Sequence, residues 1–296
     1  MSGDEHFECS RCAAHFPFVD GVPVLINEQS SVFSIEDFLS HRKTFFDNRR
    51  VSRLRSLLRG LIPNISRNIK GAQNFTRFSA ALLAQCSAPQ VLIIGGSVLG
   101  EGMEQIVSGA AIDLVESDVS FGPRTMLISD AHDIPFRDRS FDGVVVQAVL
   151  EHVVDPYRCC EEIFRVLKND GLVYAETPFI QQVHGGRYDF TRFTHLGHRR
   201  LFRRFAEIES GATCGPGMAL AWSYQYFLTS FATSARLRTI LRVFANATSF
   251  YLKYFDYYLI NKRGALDCAS GFYFIGRKAE TVLPDKDLLE SYKGLI

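Results

Sequence analysis

The sequence has no excess of one charge, and its start carries neither a basic nor an apolar leader. Its 33 Lys and Arg residues are nearly balanced by 32 Asp and Glu residues, which leaves a formal net charge of +1. A chain without a basic excess has no overall attraction for nucleic acid, so we expect no nucleic-acid partner. The first ten residues lack the features of a secretory signal, and we therefore expect a cytoplasmic protein.

The sequence also lacks a clean membrane-spanning segment. The nearest candidate is the uncharged stretch 218–235, but its Ser, Thr and Gln residues are unusual in a bilayer core. We interpret it as a buried or interfacial helix. Peripheral contact with a membrane surface is an alternative, because the Arg-rich stretch 49–61 and the aromatic helices after 222 are basic or flanked by basic residues. A solvated charged face and a helical cap on the core are the favoured explanations.

Cysteine is present without a pattern of pairs. The seven cysteines are an odd number and are scattered along the chain, which argues against a disulfide framework. Cys9 and Cys12 form one CxxC pair that resembles half of a small zinc ribbon. A structural zinc site needs four ligands, and a second CxxC pair is missing. His6 and His15 flank the pair as alternative ligands, but we favour a metal-free remnant.

The pattern of apolar, polar and charged residues divides the chain into five regions. In the third region, continuous apolar runs alternate with amphipathic segments, which is typical of a doubly wound parallel sheet with ligands bound at the carboxyl ends of its strands. We predict a ribbon-like unit over 1–30, a helical segment over 31–85, an α/β core over 86–213, a helical insertion over 214–262, and a final strand with a tail over 263–296.

A glycine-rich turn follows the first strand of the core. The run VLII is followed by Gly95, Gly96 and Ser97, and then by Gly100. Glycines let a backbone approach a ligand closely, although a tight structural turn explains them as well. The second strand ends near Glu116, whose carboxylate is suited to accept the two hydroxyls of a ribose. A solvated carboxylate at a strand end is the alternative for Glu116.

Residues 130–178 carry the most specific signal. They read DAHDIPF from 130, SFD from 140, LEHVVDP from 150 and EEIFRVLKNDG from 161. In this order the motifs resemble the class I, S-adenosylmethionine-dependent methyltransferases of type 11. An ordered match of this length is more specific than any single short motif. The resemblance implies an α/β fold with a doubly wound, Rossmann-like seven-stranded sheet and a helical insertion between its last two strands.

The resemblance also implies roles for individual residues. Glu116 would hold the ribose hydroxyls of S-adenosylmethionine, Asp130 would accept the adenine amino group, and Gln147 would line the place where donor and acceptor meet. Glu151 and His152 would begin the following helix near the cofactor. The implied cofactor-binding residues are Gly95, Gly96, Ser97, Gly100, Glu116, Asp130, Ala131 and Gln147.

Two places depart from the family pattern. Ile93 stands where an acidic residue is usual, and Ser97 and Leu99 replace glycines of the turn. A non-catalytic methyltransferase-like binding module is therefore the second interpretation. A Rossmann oxidoreductase is disfavoured, because GxGxxG is not met and Asp130 has no role there.

The resemblance continues after Pro178 through His184, Tyr188, Asp189 and Arg192. We predict an acceptor-binding lid in which His184 and Tyr188 are the catalytic residues, since a neutral imidazole is a competent base near pH 7. A structural histidine bonded to the loop backbone is the alternative. The implied acceptor is a small metabolite or a sugar- or glycan-linked substrate, methylated on oxygen or nitrogen. We expect no metal-ligating cluster around this site.

Overall fold

The computed structural model describes residues 6–9, 13–42, 44, 62–109 and 111–295. The predicted Arg-rich helix at 49–61 and Cys12 of the CxxC pair lie outside the described residues. Predictions that depend on them therefore remain predictions.

The main sheet has seven strands, and its topology confirms the predicted fold. The strand order is β6-β5-β4-β7-β8-β10-β9; the first five strands run parallel, and β10 is antiparallel to both of its neighbours. The strands are β4 (Gln90–Ile94), β5 (Asp113–Asp118), β6 (Leu127–Ile128), β7 (Phe141–Gln147), β8 (Leu167–Pro178), β9 (Phe205–Cys214) and β10 (Gly271–Lys278).

Helices cover both faces of this sheet, which is why its central strands are apolar along their length. Leu92 belongs to a buried cluster with Ile163, whereas its neighbour Ile93 belongs to a second cluster with Phe78 on the other face. In chain order the described helices are α1 (Ile35–Leu39), α2 (Gly71–Leu83), α3 (Glu104–Val107), α4 (Pro156–Val166), α5 (His195–Leu201), α6 (Pro216–Thr229), α7 (Ala235–Ser249), α8 (Asp256–Leu259), α9 (Ala265–Cys268) and α10 (Asp285–Glu290), with 3₁₀ turns at Gly186–Tyr188 and Leu252–Tyr254.

The N-terminal unit is a small antiparallel sheet whose chain continues along the edge of the main sheet. Its strands are β1 (His6–Glu8), β2 (His15–Val19) and β3 (Val22–Pro23). Val24 then bridges Ile128 of β6, and the Leu25 N–H donates to the Ile128 carbonyl at 2.8 Å. Val24, Phe38 and Ile128 share a buried cluster. These contacts bring residues 31–33 to the carboxyl ends of the parallel strands.

The helical insertion lies between β9 and β10 and consists of α6 to α9. Gly215 precedes α6 and has no side chain to cap it. Instead, the buried Asp256 of α8 accepts the N–H groups of Gly217 at 2.7 Å and Met218 at 2.9 Å. Within the ranges that the structure describes, no helix is long and apolar enough to cross a membrane.

Candidate active site

The glycine turn after β4 brings the chain back across the carboxyl ends of the strands. Gly95 has a φ of +81°, and a Cβ atom there would lie 2.4 Å from Cγ2 of Val149. A Cβ atom on Gly100 would lie 1.9 Å from Oε1 of Gln147. Position 95 therefore requires glycine for its backbone conformation, whereas a side chain at position 100 would displace the amide of Gln147.

A cavity of about 270 Å³ opens beside this turn, where β4, β5 and β7 end. In open α/β folds, ligands bind at the edge of the sheet where the carboxyl ends of the parallel strands meet. Of the residues predicted to bind cofactor, the wall of the cavity contains Gly95, Ser97, Gly100, Asp130, Ala131 and Gln147. His152 and the predicted catalytic residue Tyr188 also line it, together with Val32 and Phe33 from the N-terminal segment.

Gly96 is placed differently from the prediction. Its N–H donates to the Ser117 carbonyl at 2.9 Å, as the Gly95 N–H does, so the turn uses it to join β5. A Cβ atom on Gly96 would lie 3.1 Å from the Cβ of Glu116, beneath the turn. Gly96 is thus needed for packing under the cavity and does not form its wall.

Glu116 does not line the cavity, and this corrects the predicted ribose-binding acid. Its Oε1 accepts from Nε of Arg124 at 2.7 Å. The strand continues for two more residues, and Asp118 occupies the cavity wall. Two residues of a strand span about 6.6 Å, so Glu116 lies too early along β5 to reach the sheet edge. Glu116 and Asp118 are two residues apart, and the end of the strand determines that Asp118 is the one that reaches the cavity.

Asp118 is held by the backbone in a way that leaves acceptor capacity for a ligand. Its Oδ2 accepts the Ser97 N–H at 3.0 Å, and its Oδ1 accepts the Ser120 N–H at 2.9 Å. Each carboxylate oxygen keeps a second lone pair. Burial raises the pKa of Asp118, and the bonds from Ser97 and Ser120 oppose this effect. The carboxylate is therefore positioned to accept a pair of hydroxyls.

Asp130 lines another part of the cavity and is more heavily bonded. Its Oδ2 accepts from Oγ of Ser31 at 2.5 Å, while its Oδ1 accepts from the N–H and Nδ1 of His132 at 3.0 and 2.6 Å. His132 is fixed in this tautomer because its Nε2 accepts the Asp155 N–H. Burial by itself raises the pKa of Asp130, but the bonds from His132 and Ser31 bring it below its usual value. One lone pair on Oδ2 remains for a ligand.

Gln147 is oriented by a buried polar network that sequence reasoning missed. Its Nε2 donates to Glu176 at 2.8 Å, and Glu176 also accepts from Asn68 and Thr213. Burial raises the pKa of Glu176 despite these bonds. Oε1 of Gln147 is buried against Gly100 and has no hydrogen-bond partner among the described residues. The only sequence signal for this network was a Glu at the end of a buried strand.

The predicted lid is a loop built around Asp189. The side chain of Asp189 is 2% exposed and pairs with Arg192 through two contacts, at 2.5 and 3.0 Å. It also accepts the N–H groups of His184 at 2.8 Å and Gly185 at 3.0 Å. The pKa of Asp189 lies far below its usual value, because these bonds outweigh the effect of burial. The loop contacts α6, since Oη of Tyr226 donates to the Val183 carbonyl.

The structure separates the two predicted catalytic residues. Tyr188 faces the cavity and packs against Phe33 at 5.5 Å between ring centroids. His184 contacts the cavity through His152, whose ring lies edge-on at 4.9 Å. The structure also brings Glu151, His152 and His184 together, with one potential ligand atom from each within 4.8 Å of the others.

Comparison with known proteins identifies the central part of the chain. Residues 105–175 match a protein family described as a methyltransferase domain. Over 64 residues the chain is 44% identical to a demethylmenaquinone methyltransferase of Clavibacter sepedonicus, covering 21% of this chain and 26% of that protein. Over 78 residues it is 36% identical to the same kind of enzyme from Paenarthrobacter aurescens (strain TC1), covering 23% and 31%. The chain thus matches about a quarter to a third of the length of these curated relatives.

Solved structures with a similar arrangement have low sequence identity. Phosphoethanolamine N-methyltransferase 2 of Haemonchus contortus is 16% identical, covers 73% of this chain and 55% of its own, and has a TM-score of 0.45. The [4+2]-cyclase SpnF is 15% identical, covers 69% and 80%, and has a TM-score of 0.39. At these sequence identities and TM-scores, the functions of these proteins cannot be assigned to this chain.

The family match confirms the class I methyltransferase domain that the motifs predict. The matched residues include Asp118, Asp130, Gln147, Glu151 and His152. They end before the loop that carries His184 and Tyr188. The family match therefore covers the cavity residues from Asp118 to His152, and the glycine turn and the 181–192 loop are interpreted from their own geometry.

Proposed function

We propose that this chain transfers the methyl group of S-adenosylmethionine to an oxygen or nitrogen acceptor. The observation that carries the proposal is the pair of buried carboxylates, Asp118 and Asp130, on the wall of one cavity within the matched domain. Both keep lone pairs directed to a ligand by fixed hydrogen bonds from the protein. A nucleoside with two ribose hydroxyls and an adenine amino group offers the donors that these acceptors need.

The rest of the cavity fits the same donor. The absence of a side chain at Gly95 and Gly100 lets the turn pack closely against Val149 and Gln147 along the cavity wall. Gln147 lies in this wall at the end of β7. Ala131 follows Asp130 in the wall, where its backbone can contact a base. These features support the fit of S-adenosylmethionine, although Ile93 leaves the family's usual acidic residue missing.

The protein's own contribution to such a reaction is to position the methyl donor and the acceptor and to remove water from around them. S-adenosylmethionine supplies a methyl group on a sulfonium, whose departure leaves an uncharged thioether. Asp118 and Asp130 hold the nucleoside, and Gln147 is fixed by Glu176 beside the opening. Tyr188, Phe33 and Val32 exclude water from the cavity wall. Orientation and exclusion of water supply much of the acceleration in a displacement of this type.

Titration calorimetry with S-adenosylmethionine and S-adenosylhomocysteine tests the proposal. We expect one molecule of either ligand to bind per chain. Methyl-labelled donor, incubated with extracted metabolites and glycolipids, should then label an acceptor only in the presence of the protein. Failure of both ligands to bind would contradict the proposal and favour the non-catalytic binding module. Binding without labelling of any fraction would contradict the catalytic part alone.

We further propose that the insertion contacts an anionic membrane surface. Between residues 210 and 255 the sequence contains no Asp or Glu. The apolar side chains that are more than half exposed on α6, α7 and the turn between them are Leu220, Phe227, Phe231, Ile240 and Phe244. The exposed basic residues on α7 are Arg236, Arg238 and Arg242. Apolar side chains beside arginines, without acidic residues, fit an interface with anionic lipid.

Sedimentation with vesicles tests this contact. Vesicles that contain phosphatidylglycerol should bind the protein more tightly than vesicles of phosphatidylcholine alone, by about 1 kcal/mol for each arginine near the surface. Phe231→Ser and Ile240→Ser should weaken binding to both, and Arg238→Gln should reduce only the preference for the anionic lipid. Equal sedimentation of all variants, or none with either vesicle, would contradict the contact.

A further inference from the structure

Glu151 is a buried carboxylate whose side chain makes no hydrogen bond to any residue that the structure describes. The residue is 1% exposed, and neither of its carboxylate oxygens has a hydrogen-bond partner among the residues that the structure describes. Buried carboxylates in folded proteins are paired, hydrogen-bonded or bound to a metal ion, because an isolated buried charge is strongly disfavoured. A cation or a hydrogen-bond donor is therefore needed beside Glu151 to compensate its buried charge.

Two imidazole rings face this carboxylate. Nε2 of His152 lies 3.6 Å from Oε1 of Glu151, and Nε2 of His184 lies 3.8 Å from the same atom. These separations are longer than a hydrogen bond. They are shorter than twice a metal–ligand bond of about 2.1 Å, so one ion can bridge each pair. One ligating atom from each of the three residues lies within 4.8 Å of the others.

Both rings are held in the orientation that metal-ligating histidines adopt. Nδ1 of His152 lies 2.8 Å from the Tyr188 carbonyl, and Nδ1 of His184 lies 3.1 Å from the Gln182 carbonyl. A carbonyl oxygen only accepts, so each Nδ1 donates and a neutral ring presents the lone pair of Nε2. A backbone carbonyl on the far nitrogen is the usual outer contact of a histidine ligand.

We propose that Glu151, His152 and His184 bind one divalent transition-metal ion of the zinc type. Two histidines and one carboxylate are a ligand set that zinc uses where it keeps a position open for water or substrate. The set combines two imidazoles with a hard oxygen, which suits zinc better than magnesium or calcium.

The site has a direct relation to the cavity. Of the three residues only His152 is part of the cavity wall, so an ion held by the group would lie next to the cavity. On the proposed methyl transfer, on which this step rests, the ion would bind the acceptor's hydroxyl and lower its pKa, as bound zinc does for water. Metal binding itself does not depend on that activity.

The experiment is a zinc titration of the full chain in a background of Cys9→Ser and Cys12→Ser, which removes the N-terminal thiols. We expect one zinc ion per chain by calorimetry and elemental analysis, and a higher midpoint of thermal unfolding with zinc. Glu151→Gln and His184→Ala should each weaken zinc binding at least tenfold and remove the thermal shift. His41→Ala changes an exposed histidine outside the cluster and is the matched control.

Cobalt substitution identifies the ligands independently. Co²⁺ at this site should give visible d–d bands without a thiolate charge-transfer band, and these bands should vanish in His184→Ala. No zinc-dependent shift in the parent, or the same affinity in all variants, would overturn the proposal and assign Glu151 to pairing with a protonated His184. S-adenosylmethionine binding, measured in parallel, separates failure of the metal site from failure of the proposed function.

Discussion

The two halves of the cavity are built in different ways. The half around Asp118, Asp130 and Gln147 lies at the ends of neighbouring parallel strands, within one stretch of sequence that a known family matches. The opposite half includes His152 and Tyr188, and the 181–192 loop that carries Tyr188 is bonded in turn to α6 of the insertion. The first half is fixed by the sheet, whereas the second depends on individual side-chain bonds. Binding of the donor and binding of the acceptor should therefore respond to separate substitutions.

The largest expected effect concerns the sheet half. Asp118→Ala should weaken S-adenosylmethionine binding by roughly 1.5–3 kcal/mol, or about 10- to 150-fold, because charge-assisted hydrogen bonds to the ligand are lost. Glu116→Ala is the matched control two residues earlier on β5, and we expect its affinity to stay within about twofold of the parent. Calorimetry measures both. A larger loss in Glu116→Ala would restore the assignment made from the sequence.

Acidification should act on the same carboxylate. Since burial raises the pKa of Asp118, affinity for the donor should begin to fall at a higher pH than it would with an ordinary aspartate. The stability of the ligand-free protein should change in the opposite direction. A carboxyl whose pKa is raised in the folded state stabilises that state at low pH, and this contribution is lost as the pH rises through the raised pKa. Calorimetry between about pH 4 and 7 should show this fall in the parent. A pH-dependence that persists unchanged in Asp118→Asn would place its origin elsewhere.

In the other half, Asp256→Ala should lower the free energy of unfolding by about 1–3 kcal/mol. The substitution leaves the buried N–H groups of Gly217 and Met218 at the start of α6 without their acceptor. Urea unfolding measures the loss. Donor affinity at a temperature where the variant is folded should be unchanged. A parallel loss of donor affinity would mean that the insertion supports the sheet half as well.

A smaller and more local effect is expected at the loop. Asp189→Asn removes the charge that pairs with Arg192 and weakens the bonds to the His184 and Gly185 amides. Hydrogen exchange of these two amides should become about tenfold faster, which corresponds to about 1.4 kcal/mol of local opening. Amides of β4 and β7 serve as internal references. Unchanged exchange in the loop would show that contacts with α6 hold it without Asp189.

The smallest effect is expected at the boundary of the two halves. Ala148 follows β7 in the cavity wall and has a φ of +54°, which an alanine adopts only under strain. Ala148→Gly should therefore stabilise the fold by up to about 1 kcal/mol. Ala84→Gly, at an exposed position with a φ of −69°, should destabilise it instead. Urea unfolding of the two variants distinguishes strain at Ala148 from a general effect of glycine.

The sequence predicted the sheet half better because strand order and motif spacing determine it. Continuous apolar runs such as VLII required cover on both faces, and residues after such strands meet at one edge whatever the details of packing. The choice of Glu116 in place of Asp118 was wrong because periodicity does not define where a strand ends, and Gly96 differed because it packs beneath the turn. The contacts of His184 with Glu151 and of Gln147 with Glu176 join residues about 30 positions apart, and only tertiary packing shows them. The contribution of residues 31–33 to the cavity had no sequence signal.

The N-terminal segment has a thermodynamic consequence for anything that enters the cavity. Ser31 donates to Asp130, and Val32 and Phe33 form part of the wall, so a ligand that contacts Asp130 also contacts a piece of chain about a hundred residues earlier. Docking of that segment and occupancy of the cavity are then linked equilibria, and each favours the other by the same factor. Residues 31–33 would thus act as a cooperative partner of the ligand, with ligand concentration setting how firmly they are held.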